Sequence, residues 1–173
     1  YLLWPWWTDT AYFTVTAQAW DAGILPYRDL FDFNFPGPTY LHWLLGKTFG
    51  WGRTVPFQMV DAALLVTLGF ALTAWSRRWF GAATPGLVGY IAVLAYYLSL
   101  GFAQIGQRDW LAPLFVVFAL LMLETWKSRW SPAAAGLLCA LAFSFRPHPI
   151  VLAPAVLSAL DEYARSEGGS WER

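Results

Sequence analysis

Val55-Pro56-Phe57-Gln58-Met59-Val60-Asp61-Ala62-Ala63-Leu64-Leu65-Val66-Thr67-Leu68-Gly69-Phe70-Ala71-Leu72-Thr73-Ala74-Trp75 is the stretch on which the fold turns. About 20 largely apolar residues carry a helix across the hydrocarbon core of a bilayer. This run has that length, contains one acid, Asp61, and leads into Ser76-Arg77-Arg78. Similar blocks follow, so spans are expected over 55–76, 82–103 and 110–126, with two shorter ones over 131–145 and 150–160. The last two are joined by Arg146-Pro147-His148-Pro149. A single helix there would hold two prolines, an arginine and a histidine at mid-membrane. Two helices meeting at a tight turn below the membrane surface are expected instead, with protein or a watery cavity around the irregular backbone.

The whole composition agrees with that reading. Hydrophobic residues make up 58% of the 173-residue chain and charged residues 13%, about half the roughly 25% charge of a soluble domain. The mean hydropathy is +0.44. Apolar residues fall in blocks rather than alternating with polar ones, which argues against a soluble globular domain, disorder or a disulfide scaffold. Cys139 is the one cysteine, so neither an internal disulfide nor a cysteine-cluster zinc site can form. Eleven Lys and Arg balance eleven Asp and Glu, and no basic field points to nucleic acid. The expected fold is all-α: a polytopic transmembrane helical bundle in the cell membrane, with a long external first loop carrying short interfacial helices.

Working outward, the basic residues orient the spans. Arg77-Arg78, Lys127 and Arg129, then Arg165 and Arg173, fall on one side as tight juxtamembrane clusters; Arg28, Lys47, Arg53, Arg108 and Arg146 fall on the other. The first side is expected to be cytoplasmic. Residues 1–7, rich in Trp, read as the outer end of a truncated first transmembrane helix. Residues 161–173 read as a cytoplasmic loop or tail, with the polar Ser166-Glu167-Gly168-Gly169-Ser170 stretch cut before further helices.

The external segment 8–54 is the most informative. Thr8-Asp9 resembles a helix N-cap, followed by a helix to about Ala22, stopped by Gly23, with Tyr12, Val15, Ala19 and Ala22 on a face suited to lying flat at the interface. A turn-rich stretch contains Pro26-Tyr27-Arg28-Asp29, Phe31-Asp32-Phe33-Asn34-Phe35 and Pro36-Gly37-Pro38. Thr39 to Phe49 reads as a second short helix with Trp43 and Lys47 on one side.

These residues carry a family resemblance. Asp9 in Trp7-Thr8-Asp9-Thr10-Ala11-Tyr12, then Gly23-Ile24-Leu25-Pro26-Tyr27-Arg28-Asp29 and Pro36-Gly37-Pro38-Thr39-Tyr40-Leu41, form an acidic, then Tyr-Arg-Asp, then proline-rich first external loop. Gly106-Gln107-Arg108-Asp109 follows where a span re-enters from outside, and Ala135-Gly136-Leu137-Leu138-Cys139-Ala140-Leu141-Ala142 leads to Arg146-Pro147. Together they resemble the GT-C glycosyltransferases, in particular members akin to protein O-mannosyltransferases and lipid A aminoarabinose transferases. The resemblance would cover only the N-terminal part of such an enzyme. Asp9-Thr10 stands where many members carry an acidic pair, and Pro36-Gly37-Pro38 where Pro-Pro-Leu is frequent, so sugar and acceptor stay open.

The resemblance implies transfer of a sugar from a polyprenyl-phosphate donor to a lipid, glycan or protein acceptor on the outer face, with inversion; no cofactor is expected, and His42 and His148, far apart and without a His-x-x-His or paired-carboxylate spacing, give a metal little support. Asp9 would be the general base, its proton affinity raised by burial in a membrane-level cavity; otherwise it caps its helix. Arg108, Arg146 and Lys47 would hold the donor phosphate, for which an arginine fork is suited. Lys47 and Arg53 are equally readable as snorkelling helix ends, and Arg108 as a local pair with Asp109. Asp9 and Arg146 are expected in a single pocket. Asp29, Asp32, Tyr27 and His148 are candidate substrate contacts, although Asp is common in turns anyway. His42 reads as interface packing. Asp61, inside a span, is a functional residue by default, without an assigned role. Two readings from other classes remain: a secondary transporter, for which an intramembrane acid and broken helices also speak, and a non-catalytic membrane scaffold.

Overall fold

Five helices of this protein have a proline as their second residue: Pro38 in α2 (Gly37–Phe49), Pro56 in α3 (Val55–Phe80), Pro85 in α4 (Thr84–Ser99), Pro132 in α6 (Ser131–Phe145) and Pro154 in α7 (Ala153–Glu167). In the first turn the missing amide hydrogen costs nothing, because that donor has no partner inside the helix, and the ring presets φ. With α1 (Thr8–Asp21) and α5 (Arg108–Thr125) they make an all-helical chain, seen in a computed structural model. It describes all residues except 1, 3, 6, 31, 33, 105 and 168–173. Among the described residues there is no strand, only an isolated bridge between Pro26 and Leu30. The readings made for Tyr1, Leu3, Trp6, Phe31, Phe33, Gly168 to Ser170 and Arg173 lie outside the described residues.

The α5 helix is the axis. Leu111, Ala112, Leu114, Val116, Phe118, Ala119, Leu121 and Leu123 are buried along it. On one side it packs with α3 and α4, where Leu68, Leu114, Phe118 and Leu121 form a core. On another, Ala119, Leu123, Ala135, Ala159 and Tyr163 join α5 to α6 and α7. The α3–α4 hairpin closes tightly at Gly86: a Cβ there would lie 2.4 Å from the Leu72 carbonyl oxygen. Small residues permit such backbone approach between apolar helices. Ser76 seals the turn, donating to Ala82 O and accepting from Gly86 N.

Helix limits depart from the sequence expectation in places. The first span continues four residues beyond 76, to Phe80. The 82–103 segment is helical only over Thr84–Ser99; the chain turns at Gly101, and Phe102–Gln104 is a separate 3-10 turn. In place of a 150–160 span, His148–Leu152 is a 3-10 turn and α7 continues to Glu167. Residues 161–167 are therefore helix rather than loop, because Tyr163 is buried and donates 2.6 Å to Ser128 O while Asp161 and Arg165 pair one turn apart. Arg146 is extended, as a residue before proline must be. Trp4, Pro5 and Trp7 are not helical. Pro5 disfavours helix at Trp4, whose carbonyl accepts from Gln58 Nε2 of α3 at 2.6 Å.

One helix among the described residues, α3, is long and apolar enough to cross a membrane, and only 28% of its most apolar window is buried inside the protein. At 1.5 Å per residue it is about 39 Å long. The apolar α4 and α6 have 16 and 15 residues, or roughly 24 and 22 Å, short of the roughly 30 Å hydrocarbon core.

Candidate functional site

The site begins where the chain enters α5. Gly106 sits at φ +57°, in the left-handed region, pressed against the Phe57 ring, where a Cβ would lie 2.4 Å away. Gln107 follows in an extended, buried conformation, and Arg108 opens the helix. The Arg108 side chain is only 15% exposed. Its guanidinium donates from Nη1 to Asn34 Oδ1, lies 3.9 Å by Nη2 from Asp9 Oδ2, and sits over the Phe13 ring at 5.4 Å. Its Nε is buried without a hydrogen-bond partner among the described residues.

Asp9 stands in the first turn of α1, where a negative charge is favoured by the helix dipole. Trp7, not Asp9, occupies the cap position, and no side chain caps the helix. The expected burial is not found: the Asp9 side chain is 45% exposed, because only Thr10, Phe13, Thr14, Thr16 and Ala17 of α1 turn inward. The cavity between Asp9 and Arg108, lined also by Pro38, Leu41, His42, Phe57 and Phe145, holds about 10 Å³. That is room for no more than about one water.

The external turn supplies the other partners. Asn34 uses its amide in two directions, accepting from Arg108 and donating 2.8 Å to Asp32 Oδ1. Its backbone N–H reaches the same oxygen at 2.8 Å, the local bond by which Asp and Asn shape turns. Asp32 is buried, and its Oδ2 lacks a hydrogen-bond partner among the described residues. Tyr27 takes the left-handed φ of +67° and donates its hydroxyl to Asn34 O at 2.6 Å. Burial, then the negative charge of Asp32, push the Tyr27 hydroxyl up to about 12, so it stays a donor at neutral pH. Tyr27, Asp32, Asn34, Arg108 and Asp9 thus form one polar chain.

Other residues expected at the site lie elsewhere. Arg146 pairs with Asp109, Nε to Oδ1 at 2.6 Å. Asp9 and Arg146 line different cavities; that of Arg146 is apolar, about 280 Å³, and bordered by Val116, Cys139, Ala142 and Leu157. The reason is α5 itself: Arg108 and Asp109 are successive residues and point to different faces. Lys47 is bound to Asp21 at 2.9 Å, beside Trp43, some 18 Å along α1 from Asp9 at 1.5 Å per residue. Asp29 serves its own turn, accepting from Leu25 N and Arg28, and that guanidinium holds its carboxyl below the usual range. His148 is exposed in the 3-10 turn.

His42 is buried between Phe13 and Phe57, with Nδ1 3.0 Å from the Thr14 hydroxyl; burial pushes it down to about 4, so it is neutral. Asp61 accepts from the Tyr97 hydroxyl at 2.7 Å. Asn34 and Phe13 were not singled out in the sequence; the Asp-x-Asn spacing of 32–34 was the available signal for Asn34. Among the described residues no group of three His, Cys, Asp or Glu is arranged to hold a metal ion. No family model, curated protein or solved structure matches this chain.

Proposed function

We propose that the chain belongs to a multi-pass glycosyltransferase of the cell membrane, acting on the outer face for the cell envelope and using a polyprenyl-phosphate sugar. The observation that carries the proposal is the Asp9–Arg108 approach of 3.9 Å, with the carboxylate exposed and the arginine held from behind by Asn34. Transfer needs a base for the acceptor and a cation for the leaving phosphate, close enough to serve one reacting centre.

In this reading Asp9 takes the proton of the acceptor hydroxyl as that oxygen attacks the anomeric carbon. The bond from that carbon to the phosphate oxygen breaks, its electron pair stays with the polyprenyl phosphate, and the configuration inverts. Arg108 offers its fork to the departing phosphate. Tyr27 and Asp32 would hold sugar hydroxyls. Arg146, already matched by Asp109, would play a lesser part.

Two further features support a lipid setting. Phe70 of α3 is 74% exposed and Val151 75%, which water does not favour. Trp79, Phe80, Trp126 and Trp130 are exposed at the ends of α3, α5 and the start of α6, beside Arg77, Arg78, Lys127 and Arg129, the aromatic and basic mixture of a membrane boundary. The test is release of labelled sugar from a polyprenyl phosphate by the purified protein, compared with Asp9→Asn.

A further inference from the structure

We infer that Asp61, acting through Tyr97 and Gly106, is a positioning residue for Arg108. This rests on the transferase reading only for what Arg108 does, not for how it is held.

An acid inside an apolar helix is costly, and it persists where a partner repays it. Asp61 is 1% exposed within α3, and Tyr97 of α4, 3% exposed, donates its hydroxyl to Asp61 Oδ2 at 2.7 Å. The same hydroxyl oxygen accepts from the Gly106 backbone N–H at 2.9 Å. A hydroxyl has one proton to give and lone pairs to receive. With its proton committed to Asp61, its oxygen is turned toward Gly106. The Tyr97 ring also lies 4.7 Å from Trp110, in the first turn of α5.

Gly106 is thereby fixed three ways: by that hydrogen bond, by its left-handed φ, and by the Phe57 ring where a side chain would be. Arg108 follows two residues later and must thread a side chain 15% exposed between Phe13, Asn34 and Asp9. A shift of Gly106 moves the start of α5, and with it the guanidinium. Displacement on the order of 1 Å in such supports is enough to cost catalysis.

The experiment measures modification of Arg108 by phenylglyoxal, read by mass spectrometry, in the purified protein and in Tyr97→Phe, Asp61→Ala and Asp61→Asn. Only variants whose melting curve stays cooperative are compared. Tyr97→Phe and Asp61→Ala are expected to raise Arg108 reactivity about tenfold, the scale of one buried hydrogen bond lost. Asp61→Asn keeps an oxygen that accepts from Tyr97 and is expected to restore the low reactivity. Equal reactivity in Tyr97→Phe and the parent overturns the inference, as does an Asp61→Asn that behaves like Asp61→Ala. Sugar transfer measured on the same samples separates the two ideas: a parent without transfer but with the expected reactivity pattern removes the transferase reading and supports the positioning role.

Discussion

Arg146 Nε stands 2.6 Å from Asp109 Oδ1. The neighbouring Arg108 faces Asp9 instead, so successive residues of α5 divide the two arginines between different carboxylates. Arg146, the residue before Pro147, is thus matched to a carboxylate within the protein.

This pairing gives the first prediction. Both partners are substantially exposed, at 38% and 51% of their side chains, and exposed pairs contribute about 0–1 kcal/mol. A double-mutant cycle with Arg146→Ala and Asp109→Asn, followed by thermal melting, is expected to yield a coupling within that range. Lipid-phosphate binding should fall less in Arg146→Ala than in Arg108→Ala; the reverse order would move the phosphate site to Arg146.

Arg108 carries the larger expected effect. Its removal leaves Asn34 without a donor and the buried Asp32 without a cation behind it. Arg108→Ala should weaken polyprenyl-phosphate binding by at least about tenfold, measured by titration in micelles. Arg108→Lys should not restore it, since a lysine has no planar fork. Full binding in the lysine variant would show that charge alone suffices.

The pH dependence of stability should report His42. An unfolded histidine titrates near 6.5, and burial brings His42 to about 4 in the folded protein. Below 6.5 the unfolded chain takes up a proton that the folded one refuses. Stability is therefore lost as pH falls from 6.5 toward 4, by up to a few kcal/mol at about 1.4 kcal/mol per pH unit. His42→Gln is expected to flatten that part of the melting profile. A parent and variant with the same slope would contradict the assignment.

Much of the helical layout was legible because apolar blocks and prolines mark it directly. Pro38, Pro56, Pro85 and Pro132 start helices, and Arg146-Pro147 ends one. Less legible was α7, whose continuation to Glu167 depends on Tyr163 reaching Ser128, a contact made across 35 positions in sequence. The sequence pattern also placed Asp9 and Arg108 at one end of the helices. It could not reveal that Asn34 joins them, or that Lys47 is held by Asp21, because Asn34 meets Arg108 across 74 positions and Lys47 reaches Asp21 from a different helix.

Gly86 tests the helix packing itself. A side chain there meets the Leu72 backbone, 2.4 Å from its Cβ, rather than a movable group. Gly86→Val should therefore separate α3 from α4 and cost roughly 1–3 kcal/mol, the usual scale of overpacking, seen as a lower Tm. An unchanged Tm would mean that the two helices do not need this approach.

Asp9 decides the functional account. It caps nothing, is 45% exposed and contacts Arg108 only at 3.9 Å, so Asp9→Asn should change stability by no more than about 0.5 kcal/mol. The direct measurement is the single-turnover rate of sugar transfer from a labelled polyprenyl phosphate, parent against Asp9→Asn, at equal donor occupancy. A loss of about 100-fold or more is predicted, the scale of a general base. Transfer at the parental rate by a folded Asp9→Asn protein would contradict the proposed mechanism.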